Sequence, residues 1–388
     1  MLDPDAALKI LQENELTPQV EVVPVVEALG RVLAQAVSAR VDSPPFSKAA
    51  MDGFALQSAD SSDRFRIVEV IAAGVVPQKK IGSGQCSKIM TGAMMPEGAD
   101  KIVRVEFAEE ADGWARVVEP EPYANIIARG ENLKAGDPLL GVKVLTAQDI
   151  GVLASQGFEA VPVSVMPLVG IITTGSELRG AGEELKVGEI YNSNGPQLCA
   201  QVAAMNARSR YYGAVPDDPE KLAGMVELAL QDCDVLLLSG GVSMGDLDFV
   251  PDVLKRLGAE IHFHKLAVKP GKPTLFARKD RSFVFGLPGN PVSTFVIFEV
   301  FVKTFLYHWM GLSYRPRVLT GVLAEALSRR DAARLEYRPV RLEGNRIHPL
   351  SYHGSSHLSA LREAEGLIRI ERGTTRIEQG SELDVRLL

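Results

Sequence analysis

The chain has 388 residues, 46% apolar and 23% charged, with a formal net charge of −7. That length exceeds what one core usually holds, so two to four domains are expected. The acidic balance excludes a general nucleic-acid binder, whose affinity comes from neutralising phosphates.

The N-terminus, "MLDPDAALKILQENEL", lacks the uninterrupted apolar region of a secretory signal. Asp3-Pro4 predicts a helix start, with Ala7, Leu8, Ile10 and Leu11 as its apolar face. A second apolar segment, Val22 to Val37, leads into the proline-rich "DSPPFSKAAMDGFAL". From Phe54 to about Leu140, short β-prone runs such as "RFRIVEVIAAG", "DKIVRVEF" and "WARVVEP" alternate with glycines and predict a small β domain. The most apolar long run, Val161 to Ile172, contains two prolines and is too short to span a bilayer.

From Met166 to Met310 the pattern becomes alternating strand and helix. "PLVGIITTG", "SRYYGAV", "DVLLLSGG" and "RSFVFG" read as strands. Asn194-Gly195-Pro196 opens a helix, Asp218-Pro219-Glu220 caps another, and "VPDVLKRLG" is a helix ended by Gly258. "LPGNPVSTFVIFEVFVKTF" predicts a long apolar helix with Pro291 in its first turn. Such repeats imply a mainly parallel sheet with helices on both faces, whose ligands sit beyond the carboxyl ends of the strands. Gly175–Glu177, Ser239–Asp248 and Leu287–Pro291 are then neighbours at one rim. After "YRPR" the chain returns to β character, with Gly344-Asn345 at hairpin spacing, predicting a C-terminal β domain of about 75 residues.

Three widely spaced cysteines, Cys86, Cys199 and Cys233, form neither a disulfide framework nor a metal motif and fit a reducing cytoplasm. The six histidines make no convincing metal set; His353 and His357 lie in a Gly/Ser loop. "SGGVSMGDLDF" turns sharply at Gly240-Gly241, exposing backbone N–H groups that favour anions. Asp246 and Asp248 suit a hard cation such as Mg²⁺, or equally a polar loop with a capping Asp. Asp218 reads as an ordinary N-cap, whereas Asp217 has no such duty at the same rim. Glu177 lies two residues past Gly175. Converging carboxylates repel unless neutralised, and "KLAVKPGKPTLF" offers Lys265, Lys269 and Lys272, with Pro270 and Pro273 barring a helix. Gly289 and Asn290 offer N–H groups near a helix start, or merely a turn. Asp52-Gly53 and Thr91-Gly92 each follow a short apolar run and taken singly read as turns. "RRDAAR", Arg329 to Arg334, reads as a solvated charge run, or else as a contact to an acidic ligand.

Taken in order, "EALGRVLAQAV", "PPFSKAAMDGFAL", "MTGAMMPEGADKIV", "ARGENLKAGD", "IITTGSEL", "GEIYNSN", "DDPEKL", "SGGVSMGDLDF", "KLAVKPGKP", "GLPGNPVS" and "GSSHLSALREAEGLI" resemble the MoeA-like molybdopterin molybdenumtransferases, a family that includes the C-terminal part of gephyrin. The resemblance runs from about Val22 to Ile368. It implies a multidomain α/β chain: an elongated N-terminal domain (1–44 and 142–165), an inserted β-rich domain (45–141), an α/β molybdopterin-binding domain (166–312) and a C-terminal β-barrel (313–388).

The implied reaction inserts molybdate into adenylylated molybdopterin with Mg²⁺, giving molybdenum cofactor and AMP. Asp52, Thr91, Glu177, Lys265, Lys269 and Lys272 match catalytic positions. Asp217, Asp246 and Asp248 would hold Mg²⁺. Gly240, Gly241, Ser243, Pro288, Gly289, Asn290 and Pro291 would line the substrate. The resemblance also implies a homodimer with its site between subunits, so that Asp52 and Thr91 reach the other copy. The partners it implies are molybdopterin adenylyltransferase and apo-molybdoenzymes or their chaperones, in the cytoplasm, with neither nucleic acid nor membrane. Asn132, Ser176 and Asn192 stand where the family usually or often has Asp. Competing readings are the pterin adenylyltransferase of the preceding step, a tungstate-specific insertase and a non-catalytic scaffold.

Overall fold

The computed structural model describes residues 1–242, 249–351, 354 and 356–388. The chain forms two compact units. One comprises Met1–Val23, Gly30–Ala34 and Pro162–Leu388; the other comprises Pro24–Leu29 and Gln35–Val161.

The second unit contains the β-rich segment expected from the sequence. Strands β1 (Gly53–Leu56), β2 (Arg64–Ile71), β3 (Gln85–Ile89), β4 (Lys101–Arg104), β5 (Ala108–Ala111) and β6 (Trp114–Val117) form one sheet in the order β4-β1-β3-β2-β6-β5. Its pairings are antiparallel except β2 with β3. Alternation buries Ala55, Ile71, Ile89 and Ile102 in one cluster and Phe54, Leu56, Phe65 and Val103 in another. Gly53 is obligatory here, because a Cβ would lie 2.2 Å from the Val103 carbonyl oxygen. Glu121, only 5% exposed, is held by the Arg104 guanidinium Nε at 2.8 Å and the Tyr123 N–H at 3.2 Å. Burial pushes its carboxyl up, but these donors win and hold it at about 2.

The first unit is built around strands β7 (Leu168–Thr174), β8 (Arg208–Val215), β9 (Val235–Ser239), β10 (Glu260–His264), β11 (Leu275–Lys279) and β12 (Ser282–Leu287). Their order is β8-β7-β9-β12-β11-β10. β8, β7, β9 and β12 run parallel, and β11 and β10 add an antiparallel edge. Every residue of β9 and β12 is buried, as strands covered on both faces require. Helices α1 (Asn194–Ala203), α2 (Pro219–Asp232) and α3 (Val250–Arg256) join these strands, and α4 (Pro291–Ile297) follows the last of them. Leu222, Val226, Val250 and Leu254 pack with Leu236, Leu238 and Val284, while Phe276, Phe283, Phe285 and Phe305 form an aromatic cluster.

Asp218 caps α2 as expected, its carboxylate accepting the N–H groups of Glu220 and Lys221. The long apolar helix begins at Pro291 but carries a π-helical turn, Phe298–Val302, before ending as α5 (Lys303–Trp309). Among the described residues, no helix is long and apolar enough to cross a membrane.

The C-terminal strands β13 (Val318–Leu323), β14 (Leu335–Glu343), β15 (Arg346–Pro349), β16 (Gly366–Ile370) and β17 (Glu382–Leu387) close on themselves in the order β14-β15-β13-β17-β16-β14. This closed barrel buries Leu323, Val340, Ile347, Ile368 and Val385 and removes unpaired edges. Gly344, at φ +60°, makes the β14–β15 hairpin. The charge run is solvated at Arg330 and Asp331, but Arg329 is a correction, being only 9% exposed. Its guanidinium donates to the carbonyls of Arg334, Thr374 and Glu371, pinning the loop after β16 to the start of β14.

Candidate functional site

Parallel register brings the ends of β7, β9 and β12 together: Thr173 lies opposite Ser239, and Ser239 opposite Leu287. Beyond these ends lies a cleft of about 600 Å³. Glu177, Pro288, Gly289, Asn290 and Pro291 line it as expected, and the C-terminal region adds Ser356 and Leu358.

The turn leaving β9 needs both glycines. Gly240 and Gly241 have φ of +99° and +64°, and a Cβ on Gly240 would lie 2.6 Å from the Thr174 carbonyl oxygen. Gly289 crosses close by, its own Cβ position 3.7 Å from the Gly240 Cα. Asn194, at the start of α1, locks this crossing. Its Nδ2 donates to Ser239 Oγ at 2.8 Å and to the Gly289 carbonyl at 2.7 Å. Pro288 O accepts from Ser239 Oγ at 3.2 Å and Thr294 Oγ1 at 2.6 Å. The "LPGNP" turn is thus held by side chains from three elements.

At the neighbouring strand ends, Ser176 and Asp217 bond reciprocally. The Ser176 N–H donates to Asp217 Oδ2 at 2.9 Å, and the Asp217 N–H to Ser176 Oγ at 3.0 Å. A hydroxyl at Ser176 therefore accepts where a second carboxylate would repel Asp217. Asp217 Oδ1 takes no hydrogen bond from the described residues. Asn192 is likewise explained: its Nδ2 donates to Thr173 Oγ1 and Tyr211 Oη, and its Oδ1 accepts the Gly195 N–H. An aspartate could not donate to either hydroxyl. Asn132, in the second unit, shows only backbone bonding, its N–H donating to the Ser43 carbonyl. Ser243, Asp246 and Asp248 lie outside the described residues. Among the described residues, no three His, Cys, Asp or Glu side chains are grouped to hold a metal.

None of the three lysines lines the cleft. Lys269 sits in a two-residue strand, Val268–Lys269, paired in parallel with β14, and its Nζ lies 3.5 Å from Glu336 Oε2. Lys265 adopts φ +83°. Its N–H donates to Thr274 O, and its carbonyl accepts the Leu2 N–H. Lys272 is exposed, and its carbonyl accepts from Leu266 and Thr274. Neither Lys265 nor Lys272 has a side-chain partner among the described residues. Only Pro273, next to Lys272, reaches the cleft.

In the second unit, the separately read Asp52 and Thr91 meet. Asp52 Oδ1 accepts both the Thr91 N–H and its hydroxyl, each at 2.6 Å. Those two donors hold the exposed Asp52 carboxyl below its ordinary range, so it stays charged.

Sequence reasoning placed Ser239 at this rim but missed Thr174, Tyr191, Ser193, Asn194 and Pro273 as cleft residues. Four belong to strand ends or to "YNSN", a polar run opening a helix at the predicted rim. That position was the signal available for them.

Comparison with known proteins matches three family models in chain order. They are the MoeA N-terminal region (domains I and II) over 2–157, a probable molybdopterin binding domain over 170–308, and the MoeA C-terminal region (domain IV) over 320–388. Molybdopterin molybdenumtransferase of Bacillus subtilis is 34% identical, covering 99% of this chain and 93% of that protein. The Staphylococcus epidermidis protein of the same name is 34% identical over 93% and 89%. The crystal structure of molybdopterin biosynthesis MoeA protein from Pyrococcus horikoshii superposes with a TM-score of 0.87 at 29% identity, covering all of both chains. By sequence and by fold, this chain belongs to the molybdopterin molybdenumtransferases, an enzyme family.

Proposed function

We propose that the protein inserts molybdate into adenylylated molybdopterin, cleaving the phosphoanhydride in a Mg²⁺-dependent reaction that yields molybdenum cofactor and AMP. The observation carrying this reading is the strand-end cleft. Its volume of about 600 Å³ suits a nucleotide-sized ligand, and Glu177 lines it. Its neutral hydrogen-bonding wall, Asn192 to Asn194, suits a heterocycle, and the glycine turns let backbone approach phosphate closely.

Asp217 has a carboxylate oxygen uncommitted to protein donors. It would hold Mg²⁺ with Asp246 and Asp248, and these hard oxygen donors fit that ion. When bound, it neutralises charge on the phosphoanhydride oxygens. Lys265, Lys269 and Lys272 supply the remaining positive charge toward molybdate and phosphate, where compact ammonium groups suit spherical oxyanions. Pro288 and Gly289 carry the nucleotide-side wall.

In this reading the protein acts as a cytoplasmic homodimer, and the Asp52–Thr91 pair of one copy faces the cleft of the other. It would receive substrate from a pterin adenylyltransferase and deliver product to apo-molybdoenzymes or their chaperones. Mixing the protein with adenylylated molybdopterin, Mg²⁺ and molybdate should release AMP. Absence of molybdate-dependent release would sink the reading, and synthesis of adenylylated pterin from ATP would favour the preceding step.

A further inference from the structure

Glu336 of β14 is fully buried, lies outside the cleft, and has no part in the roles above. It is nevertheless ringed by cations. Arg338 Nη2 and Nε each lie 3.0 Å from Oε1, Lys269 Nζ lies 3.5 Å from Oε2, and Arg329 Nη1 lies 3.6 Å from Oε2. Three positive groups around one carboxylate leave a surplus of two charges (three minus one).

The three cations are not equivalent. Arg329 is committed to backbone carbonyls, and its side chain is 3% exposed, so it reaches no ligand. Lys269 and Arg338 keep 36% and 20% of their side chains open. One buried carboxylate therefore tethers two cations that solvent still reaches. An untethered lysine samples many rotamers, and a fixed charge stabilises developing anions without reorganising.

The tether also bears on the cleft. Lys269 is in register with Glu336, and four residues later Pro273 forms the cleft wall. Between them the loop is closely packed. A Cβ on Gly271 would lie 2.4 Å from Ile297 Cδ1, and Thr274 Oγ1 donates to the Gly271 carbonyl at 2.7 Å.

We infer that Glu336, a barrel residue, is the positioning residue for Lys269 and Arg338, fixing where positive charge is presented to the anionic substrates. This rests on the insertion reaction proposed above. Glu336 touches no substrate and acts through the two cations.

The test is molybdate-dependent AMP release by the full-length protein carrying Glu336→Gln alone and in Lys269→Met or Arg338→Met backgrounds. Alone, Glu336→Gln should lower kcat/KM about 10- to 100-fold, because two partly buried cations lose their anchor. In one or both cation-deleted backgrounds the penalty should shrink roughly threefold or more, since coupled residues are not additive. Glu336→Asp, which keeps the charge, should recover part of the loss and covers the case in which Glu336→Gln fails to fold. An undiminished penalty in both backgrounds, tracking a fall in melting temperature, would show a merely structural residue and overturn the inference. Wild-type activity with an indifferent Glu336→Gln would overturn this inference alone. A silent wild-type protein would overturn the insertion reading and this inference together.

Discussion

Around the cleft, Thr174, Ser239 and Pro288 stand at the ends of three neighbouring parallel strands. Lys265, Lys269 and Lys272 instead sit in a loop tied to the N-terminus at Leu2 and to the barrel at Glu336. The cleft follows from one sheet's topology, which puts consecutive βα turns at one rim whatever their side chains. The loop takes its shape from partners far along the chain. A site assembled from strand ends tolerates changes elsewhere in the molecule, whereas the lysines depend on the barrel being in place.

The contrast can be tested from both sides. Asp217→Asn should have the largest effect, lowering turnover on the order of 100-fold or more by removing a charge that meets no cation among the described residues. The amide oxygen can still accept the Ser176 N–H, so the melting temperature should barely move. Normal turnover would take Asp217 out of the metal role. Arg329→Met probes the loop side. It removes the guanidinium donors to the carbonyls of Arg334, Thr374 and Glu371, of which Glu371 keeps the Thr374 N–H, and should cost roughly 2–4 kcal/mol in urea unfolding. A loss under about 0.5 kcal/mol would mean the barrel does not depend on this arginine.

The smallest effect is expected in the second unit. Glu121 has a folded-state value of about 2 against an ordinary 4.5. Its contribution is therefore complete above about pH 4.5 and lost as pH falls through about 2. Glu121→Gln should flatten acid unfolding across that window while leaving neutral-pH turnover unchanged. An unaltered acid profile would show that the Arg104 contact is not the cause.

Local chemistry was well encoded in the sequence. Asp218-Pro219-Glu220 predicts a capped helix because proline fixes φ and the carboxylate meets free N–H groups within its own turn. "DVLLLSGG" predicts a buried strand and a turn only glycine allows, and β9 with Gly240-Gly241 is that structure. The rim followed from parallel topology alone.

Pairings between distant segments were not legible. Asp52 and Thr91 each read as a turn, because nothing within either segment shows that 39 residues later a hydroxyl meets the carboxylate. Arg329 looked solvated because charge runs usually are, and two of its three carbonyl partners, Glu371 and Thr374, come from one loop beyond β16. Lys269 pointed toward an oxyanion on composition, yet the carboxylate it meets, Glu336, is its register partner on β14, far along the chain. The family resemblance supplied order and expected roles for these residues, but not their contacts.

The account's central claim is that chemistry takes place in the strand-end cleft. Ser193 lines that cleft and makes no side-chain cap to its helix, so Ser193→Trp can fill the space without removing a structural hydrogen bond. Molybdate-dependent AMP release by Ser193→Trp should fall on the order of 100-fold, with the melting temperature within a few degrees of the parent. Turnover at the parent rate with a tryptophan in the cleft would contradict the claim.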